Sequence, residues 1–165
     1  MTPETSDGGR VRVTRHAKAP ASAVWSALSD GWLYATWVVG ASRVREVDPS
    51  WPAVGSRLHH SFGVWPVVVN DETVVMESVP DRRLVLEAKG WPLGEARVEL
   101  RIDEAGDEAG DEACDVSLVE DAVKGPGLLV PRVARQPLIA IRNREALRRL
   151  TLIAQGRPRR ELSGP

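Results

Sequence analysis

Three histidines are the residues of this sequence best suited to hold or move a proton near neutral pH: His16, His59 and His60. Adjacent residues of a strand point to opposite faces, so His59 and His60 cannot both face an interior. By alternation, His60 shares its face with Leu58 and Phe62, and it is the best titratable pocket candidate if that face points inward. The pattern predicts either a pocket histidine at position 60 or a hydrogen-bonded structural one.

An asparagine lies within an apolar helical stripe near the C-terminus. Asn143 falls on the same stripe as Leu147, Leu150 and Ala154. A helix that buries this stripe also buries an amide, and a buried amide needs hydrogen-bond partners. Either neighbouring groups satisfy it, or Asn143 points into a cavity as an anchor for a ligand.

No catalytic constellation is visible in the sequence. It contains no nucleophile elbow, glycine-rich phosphate loop or metal-binding helix. The single cysteine, Cys114, follows an acidic run that would raise its thiol pKa, the wrong direction for a nucleophile. We therefore assign no catalytic, cofactor-binding or metal-binding residue, and expect no cofactor; whether the protein is an enzyme stays open.

An acidic pair recurs every four positions in IDEAGDEAGDEACDV, residues 102–116. A calcium loop of the EF-hand kind needs oxygen ligands at every second position, which this spacing does not supply. A helix is disfavoured because Gly106 and Gly110 interrupt it and like charges would stack. We predict the lengthened, solvated tip of a hairpin.

Length and composition fit one domain with a substantial core, since the chain has 165 residues and 42% hydrophobic content. No signal-peptide pattern precedes it, and its longest apolar runs are far shorter than the roughly 20 residues needed to span a bilayer. The expectation is a cytoplasmic protein without a membrane span.

Charge is unevenly distributed although the net charge is only −1, a value that argues against a nucleic-acid partner. Residues 99–121 contain ten acidic residues and one basic, and the chain from residue 124 onward contains ten basic and two acidic. The two segments either neutralise each other in the fold, or the basic one binds an anionic partner.

The elements that must position these residues follow from periodicity. A polar leader at 1–9, which we expect to be flexible, precedes a strand, two short helices and a run of strands joined by short turns. Short turns make the sheet antiparallel. A long amphipathic helix ends at Gly156, before a flexible basic tail at 157–165. Pro137 lies either in the first turn of this helix or inside a helix that begins near Pro131.

The segment APASAVWSALSD, residues 19–30, resembles the opening of the START-like / polyketide cyclase (SRPBCC, helix-grip) superfamily. Further similarity lies in WVVGASRVREVDPSWPAVGSRLHH, PDRRLVLEA and NREALRRLTLIAQG, so that the likeness covers roughly residues 10–156. It implies an α+β fold in which a curved antiparallel sheet of six or seven strands wraps around the long C-terminal helix. It also implies an apolar cavity between them.

Candidate pocket residues follow from the residue types that such a cavity would need. Tryptophan combines a large apolar face with one N–H donor, and several tryptophans lie near connections rather than in mid-strand. The candidates are Trp37, His60, Trp65, Asn143 and Leu147. Glu87 and Glu120 would be pocket carboxylates if they faced inward, but we expect both to face solvent.

Three functions are compatible with these observations. The first is binding of a small hydrophobic molecule (a lipid, a polyketide or an aromatic compound) in the cavity. The second is a polyketide cyclase or aromatase that uses the same cavity, a reaction that needs little beyond positioning and proton transfer. The third and weaker one is binding of an anionic partner through the basic C-terminal helix.

Overall fold

The computed structural model describes residues 4–6, 10–90, 94–106, 112–125, 129 and 131–156. The strands are β1 (Glu4–Ser6), β2 (Arg10–Ala17), β3 (Ala41–Val47), β4 (Arg57–Val64), β5 (Val67–Val79), β6 (Arg83–Gly90), β7 (Gly94–Glu104) and β8 (Cys114–Lys124). The helices are α1 (Ala21–Ser29), α2 (Tyr34–Trp37), which follows a 3₁₀ turn (Gly31–Leu33), and α3 (Arg132–Gly156).

The strands form one antiparallel sheet in the order β1-β2-β8-β7-β6-β5-β4-β3. From β3 to β8 each strand pairs with the next in sequence, as short connections require. The predicted helix-grip architecture is confirmed, with seven longer strands, two short helices after β2 and the long helix α3 packed against the sheet. An eighth strand, the three-residue β1, lies within the predicted leader and pairs with β2. The sequence pattern did not indicate this strand.

The apolar stripe of α3 faces the sheet. Leu147, Leu150 and Ala154 are buried in the main core cluster, as the periodicity predicts. Because α3 begins at Arg132, Pro137 lies inside the helix, beyond the first turn. No helix in the described ranges has both the length and the hydropathy that crossing a membrane would require.

The hairpin between β7 and β8 carries the acidic repeat. Its ladder extends past Glu104, which pairs with Cys114, to a hydrogen bond of 2.9 Å from the Ala105 N–H to the Ala113 carbonyl. The predicted tip itself, at residues 107–111, lies outside the described residues, as does the predicted tail at 157–165. The strand directions place this hairpin at the opposite end of the sheet from the turn between β4 and β5.

Candidate functional site

A cavity of about 530 Å³ lies between the sheet and the first half of α3. Strands β4 to β8, α2 and α3 all contribute to its wall. Most of the wall is apolar, including Val38, Val39, Leu86, Val98, Leu118 and Ala146. At one end lie Phe62, Val67 and Leu138, which are also exposed to solvent, so the cavity opens at the end of the sheet that holds the β4–β5 turn.

Side-chain size along the sheet explains why space remains there. Three central strands place Leu84, Leu100 and Leu118 opposite one another in one cross-strand row, and these leucines are buried in the core. Four residues along β6, the corresponding row consists of Ala88, Ala96 and Ala122. Alanines fill far less of the gap beneath α3 than leucines do, and all three line the cavity.

Four side chains at the inner end of the cavity make a connected cluster. The Thr73 hydroxyl lies 3.0 Å from Tyr34 Oη and 3.1 Å from His60 Nε2. The ring centroids of Tyr34 and His60 lie 5.0 Å apart, and those of Tyr34 and Trp37 lie 5.6 Å apart in an edge-to-face contact. Tyr34 and Trp37 reach this place because α2 begins directly after the 3₁₀ turn, which Asp30 caps by accepting a hydrogen bond from the Trp32 N–H.

Burial keeps the titratable members of this cluster uncharged. It lowers the pKa of His60 to about 4, with the positive charge of Arg45 as a further cause. It also raises the pKa of Tyr34 to about 12, although the hydrogen bond with Thr73 lowers that pKa. At neutral pH the inner end therefore presents a neutral imidazole and a neutral phenol, which can form hydrogen bonds but carry no charge.

Asn143 faces the cavity from α3. It lies between Ile139 and Ala146 on the face that lines the cavity, and its side chain is only 3% exposed. Its Nδ2 atom has no hydrogen-bond partner among the residues that the structure describes. Asn143 therefore lies at the cavity wall, where the sequence pattern left open both a structural role and that of a ligand anchor.

Glu120 differs from its predicted position. It faces inward, is buried and forms an ion pair with Arg142 of α3, and both residues line the cavity. The inward parity follows from register, because Glu120 stands opposite Val98, which itself lines the cavity. Glu87, in contrast, lies outside the cavity wall, and its carboxylate is 3.7 Å from the Arg97 guanidinium.

Trp65 and Leu147 lie outside the cavity wall, unlike the other three candidates, Trp37, His60 and Asn143. Trp65 sits in the two-residue turn between β4 and β5, where its side chain leaves the sheet and is 85% exposed. Leu147 is fully buried in the core cluster one turn beyond Asn143.

Sequence reasoning did not single out Tyr34, Thr73 or Arg142 as site residues. A signal for Tyr34 was the aromatic density of WLYATW, and Thr73 shares the parity of the buried Val75 on β5. Cys114 lies away from the cavity wall, and burial raises its thiol pKa to about 11, with Asp115 adding to the shift. This direction agrees with the one predicted from the acidic run, although burial is the larger cause.

Comparison with known proteins connects this arrangement to characterised folds. Residues 9–152 match the model of a family described as polyketide cyclase / dehydrase and lipid transport. No curated protein matches the sequence. A Chromobacterium violaceum protein of known structure is 17% identical, with a TM-score of 0.66 over 90% of this chain and 99% of that one.

Two further structures share the fold at low identity. The di-domain ARO/CYC StfQ from the steffimycin biosynthetic pathway is 8% identical, with a TM-score of 0.63 over 88% of this chain and 50% of that one. A START superfamily protein from Mycobacterium smegmatis is 18% identical, with a TM-score of 0.56 over 89% of this chain and 94% of that one. These similarities confirm the helix-grip fold predicted from the sequence.

Proposed function

Since a single family model covers residues 9–152, the chain belongs to the polyketide cyclase / dehydrase and lipid transport family, and we propose that it binds one small hydrophobic molecule in the cavity beneath α3. The observation that carries the proposal is the cavity of about 530 Å³ with its largely apolar wall. Binding sites for small molecules are typically concave, mostly apolar and furnished with a few polar anchors.

The arrangement of the wall supports a ligand that enters from the end of the sheet. Phe62, Val67 and Leu138 give the opening an apolar border. The alanine row provides room along the sheet, and the Tyr34–Thr73–His60 cluster lies farther in. Removing the apolar surface of such a ligand from water supplies the main driving force for binding, at about 25 cal/mol per Å².

Titration with the neutral fluorophore N-phenyl-1-naphthylamine tests this proposal. Saturable emission of the bound probe, excited by energy transfer from tryptophan, is the expected result. Trp37→Phe should lose more of this transfer than Trp32→Phe, because Trp37 lines the cavity whereas Trp32 is exposed and lies outside it. Emission that rises linearly without saturation, or that is insensitive to Trp37, would argue against a cavity ligand.

A cyclase or aromatase activity in the same cavity is the second candidate. The observation that favours it is the Thr73 hydroxyl, which connects a neutral phenol with a neutral imidazole beside the cavity. These groups can donate a proton to a carbonyl oxygen of a folded poly-ketone or accept one from the carbon beside that carbonyl, and the cavity walls can hold the poly-ketone in a reactive conformation. The structural similarity to the ARO/CYC proteins is consistent with this use of the fold.

Turnover of a poly-β-ketone analogue distinguishes the two candidates. If the protein is an enzyme, His60→Gln should retain binding of the analogue but lose at least about tenfold in the rate of cyclisation over the uncatalysed reaction. Binding of the analogue without any acceleration by the wild-type protein would leave ligand binding as the function.

A further inference from the structure

We infer that the cavity selects an uncharged ligand carrying an acceptor oxygen, such as a ketone, ester or amide carbonyl, which accepts a hydrogen bond from Nδ2 of Asn143. The inference rests on the proposed function and specifies the chemical class of its ligand. Two observations carry it: an unpartnered donor in an apolar wall, and the neutralisation of the charges around that wall.

The donor is the side-chain amide of Asn143. Its Nδ2 atom is buried at the cavity wall and unpaired among the described residues. A buried N–H group without a partner destabilises the folded protein, so native structures rarely contain one away from a binding site. Because the amide nitrogen can only donate, a ligand atom that pairs with it, once the Asn143 amide turns toward the cavity, must be an acceptor.

The cations of the wall have acidic partners. Lys89 forms an ion pair with Glu72, and Arg142 forms one with Glu120. Among the described residues, the cavity wall contains one lysine, Lys89, and one arginine, Arg142. A carboxylate ligand would therefore have to compete with a protein carboxylate for either cation, after losing its own hydration.

The acidic residues of the wall disfavour an anion further. Asp71 lines the cavity, and burial raises the pKa of its carboxyl group. Glu95 also lines it and forms an ion pair of 2.8 Å with Lys124. An anionic ligand would approach these carboxylates without gaining an unpaired positive charge, whereas a neutral carbonyl meets no such repulsion.

A second buried polar atom lies in the same wall. His60 Nδ1 has no hydrogen-bond partner within the described ranges, and its ring is neutral at pH 7 because burial lowers its pKa to about 4. A neutral imidazole adds no charge that could attract an anion. His60 therefore offers an anion no advantage over an uncharged ligand.

Three ligands of equal chain length test the inference: tridecane, 2-tridecanone and tridecanoate. Their dissociation constants at pH 7 are measured by displacement of N-phenyl-1-naphthylamine from the wild-type chain and from Asn143→Leu. The control is Asn70→Leu, which removes an exposed amide of β5 that lies outside the cavity.

Asn143→Leu should weaken 2-tridecanone about fivefold to tenfold, the loss expected for one neutral hydrogen bond, and leave tridecane within about twofold. Asn70→Leu should change neither. The wild-type protein should bind tridecanoate more weakly than 2-tridecanone by about tenfold or more. Equal losses for the ketone and the alkane, or tighter binding of the carboxylate, would overturn the inference.

An infrared measurement on the wild-type protein covers the case in which Asn143→Leu fails to fold. The carbonyl stretch of bound 2-tridecanone should lie at lower frequency than in hexane, as it does for a hydrogen-bonded ketone, and an unshifted band would overturn the inference. If N-phenyl-1-naphthylamine does not bind saturably, the proposed function is overturned and the inference with it; if the probe binds but none of the three ligands displaces it, the inference alone is overturned. If they bind without preference for the ketone, the inference alone is overturned.

Discussion

His60 Nε2 lies 3.1 Å from the Thr73 hydroxyl, and both side chains are almost completely withdrawn from solvent. The same hydroxyl also contacts Tyr34 Oη, so the two hydrogen bonds of Thr73 connect β5 with β4 and with α2 at the inner end of the cavity. The folded protein therefore keeps the His60 imidazole where a positive charge is strongly disfavoured, and its stability should depend on pH.

Stability should fall as the pH falls from about 6.5 to about 4. The folded state keeps His60 neutral down to about pH 4, whereas the unfolded chain binds a proton below about 6.5. The unfolded state thus gains protons first, and the free energy of unfolding drops by about 2 to 4 kcal/mol across this range. Urea denaturation at a series of pH values measures the slope.

His60→Gln should flatten this pH dependence, because the substitution removes the imidazole that the folded state keeps neutral. A His60→Gln variant that keeps the wild-type slope would show that His60 is not the group responsible.

Replacing Asn143 by leucine should not destabilise the ligand-free protein. The substitution removes a buried, unpaired donor and places a better helix former on α3, so the free energy of unfolding should stay constant or rise by about 1 kcal/mol. Thermal unfolding without ligand measures this. A loss of more than about 1 kcal/mol would mean that Asn143 is a satisfied structural residue.

Thr151→Val is the matched control on the same helix. Thr151 is buried like Asn143, but its hydroxyl accepts a hydrogen bond of 3.1 Å from Arg15 Nε and donates to the Leu147 carbonyl. Its replacement should cost about 1 kcal/mol. The two variants therefore separate an unpaired buried group from a paired one.

Glu120→Gln should destabilise the protein by about 1 to 3 kcal/mol. Glu120 is buried, and its loss leaves the partly buried guanidinium of Arg142 without the carboxylate that neutralises it. Glu87→Gln is the control, because Glu87 forms only a peripheral contact of 3.7 Å with Arg97 and should change stability by less than about 0.5 kcal/mol. Equal effects in chemical denaturation would contradict the inward placement of Glu120.

Much of the fold could be predicted because its strands and helices correspond to local sequence patterns. Alternation marked the strands, short turns dictated an antiparallel sheet, and the spacing of Leu147, Leu150 and Ala154 marked the buried face of α3. The same alternation places His60 inward, and the helical stripe places Asn143 at the cavity.

The cavity itself depends on register between strands, which local patterns do not contain. Ala88, Ala96 and Ala122 are separated by many residues, and only strand pairing places them in one row. The inward position of Glu120 likewise follows from its pairing with Val98. Trp65 is a case in which residue type misled the prediction. A tryptophan beside a turn has the chemical character of a pocket-edge residue, but the tight turn directs the Trp65 side chain into solvent.

The central claim, that the cavity beneath α3 is a ligand site, is tested most directly by filling it from the helix. Ala146→Phe places a ring in the cavity, because Ala146 lines it opposite the sheet. The control, Ala154→Phe, changes the same residue type two turns later, in the close-packed core and outside the cavity wall.

The measurement is the dissociation constant of N-phenyl-1-naphthylamine together with the thermal midpoint of each variant. We predict that Ala146→Phe melts close to the wild-type midpoint but loses probe binding more than about tenfold, because the space is taken without overpacking. Ala154→Phe should lose about 1 to 3 kcal/mol of stability and, while folded, still bind the probe. A folded Ala146→Phe variant that binds the probe as tightly as the wild type would contradict the account.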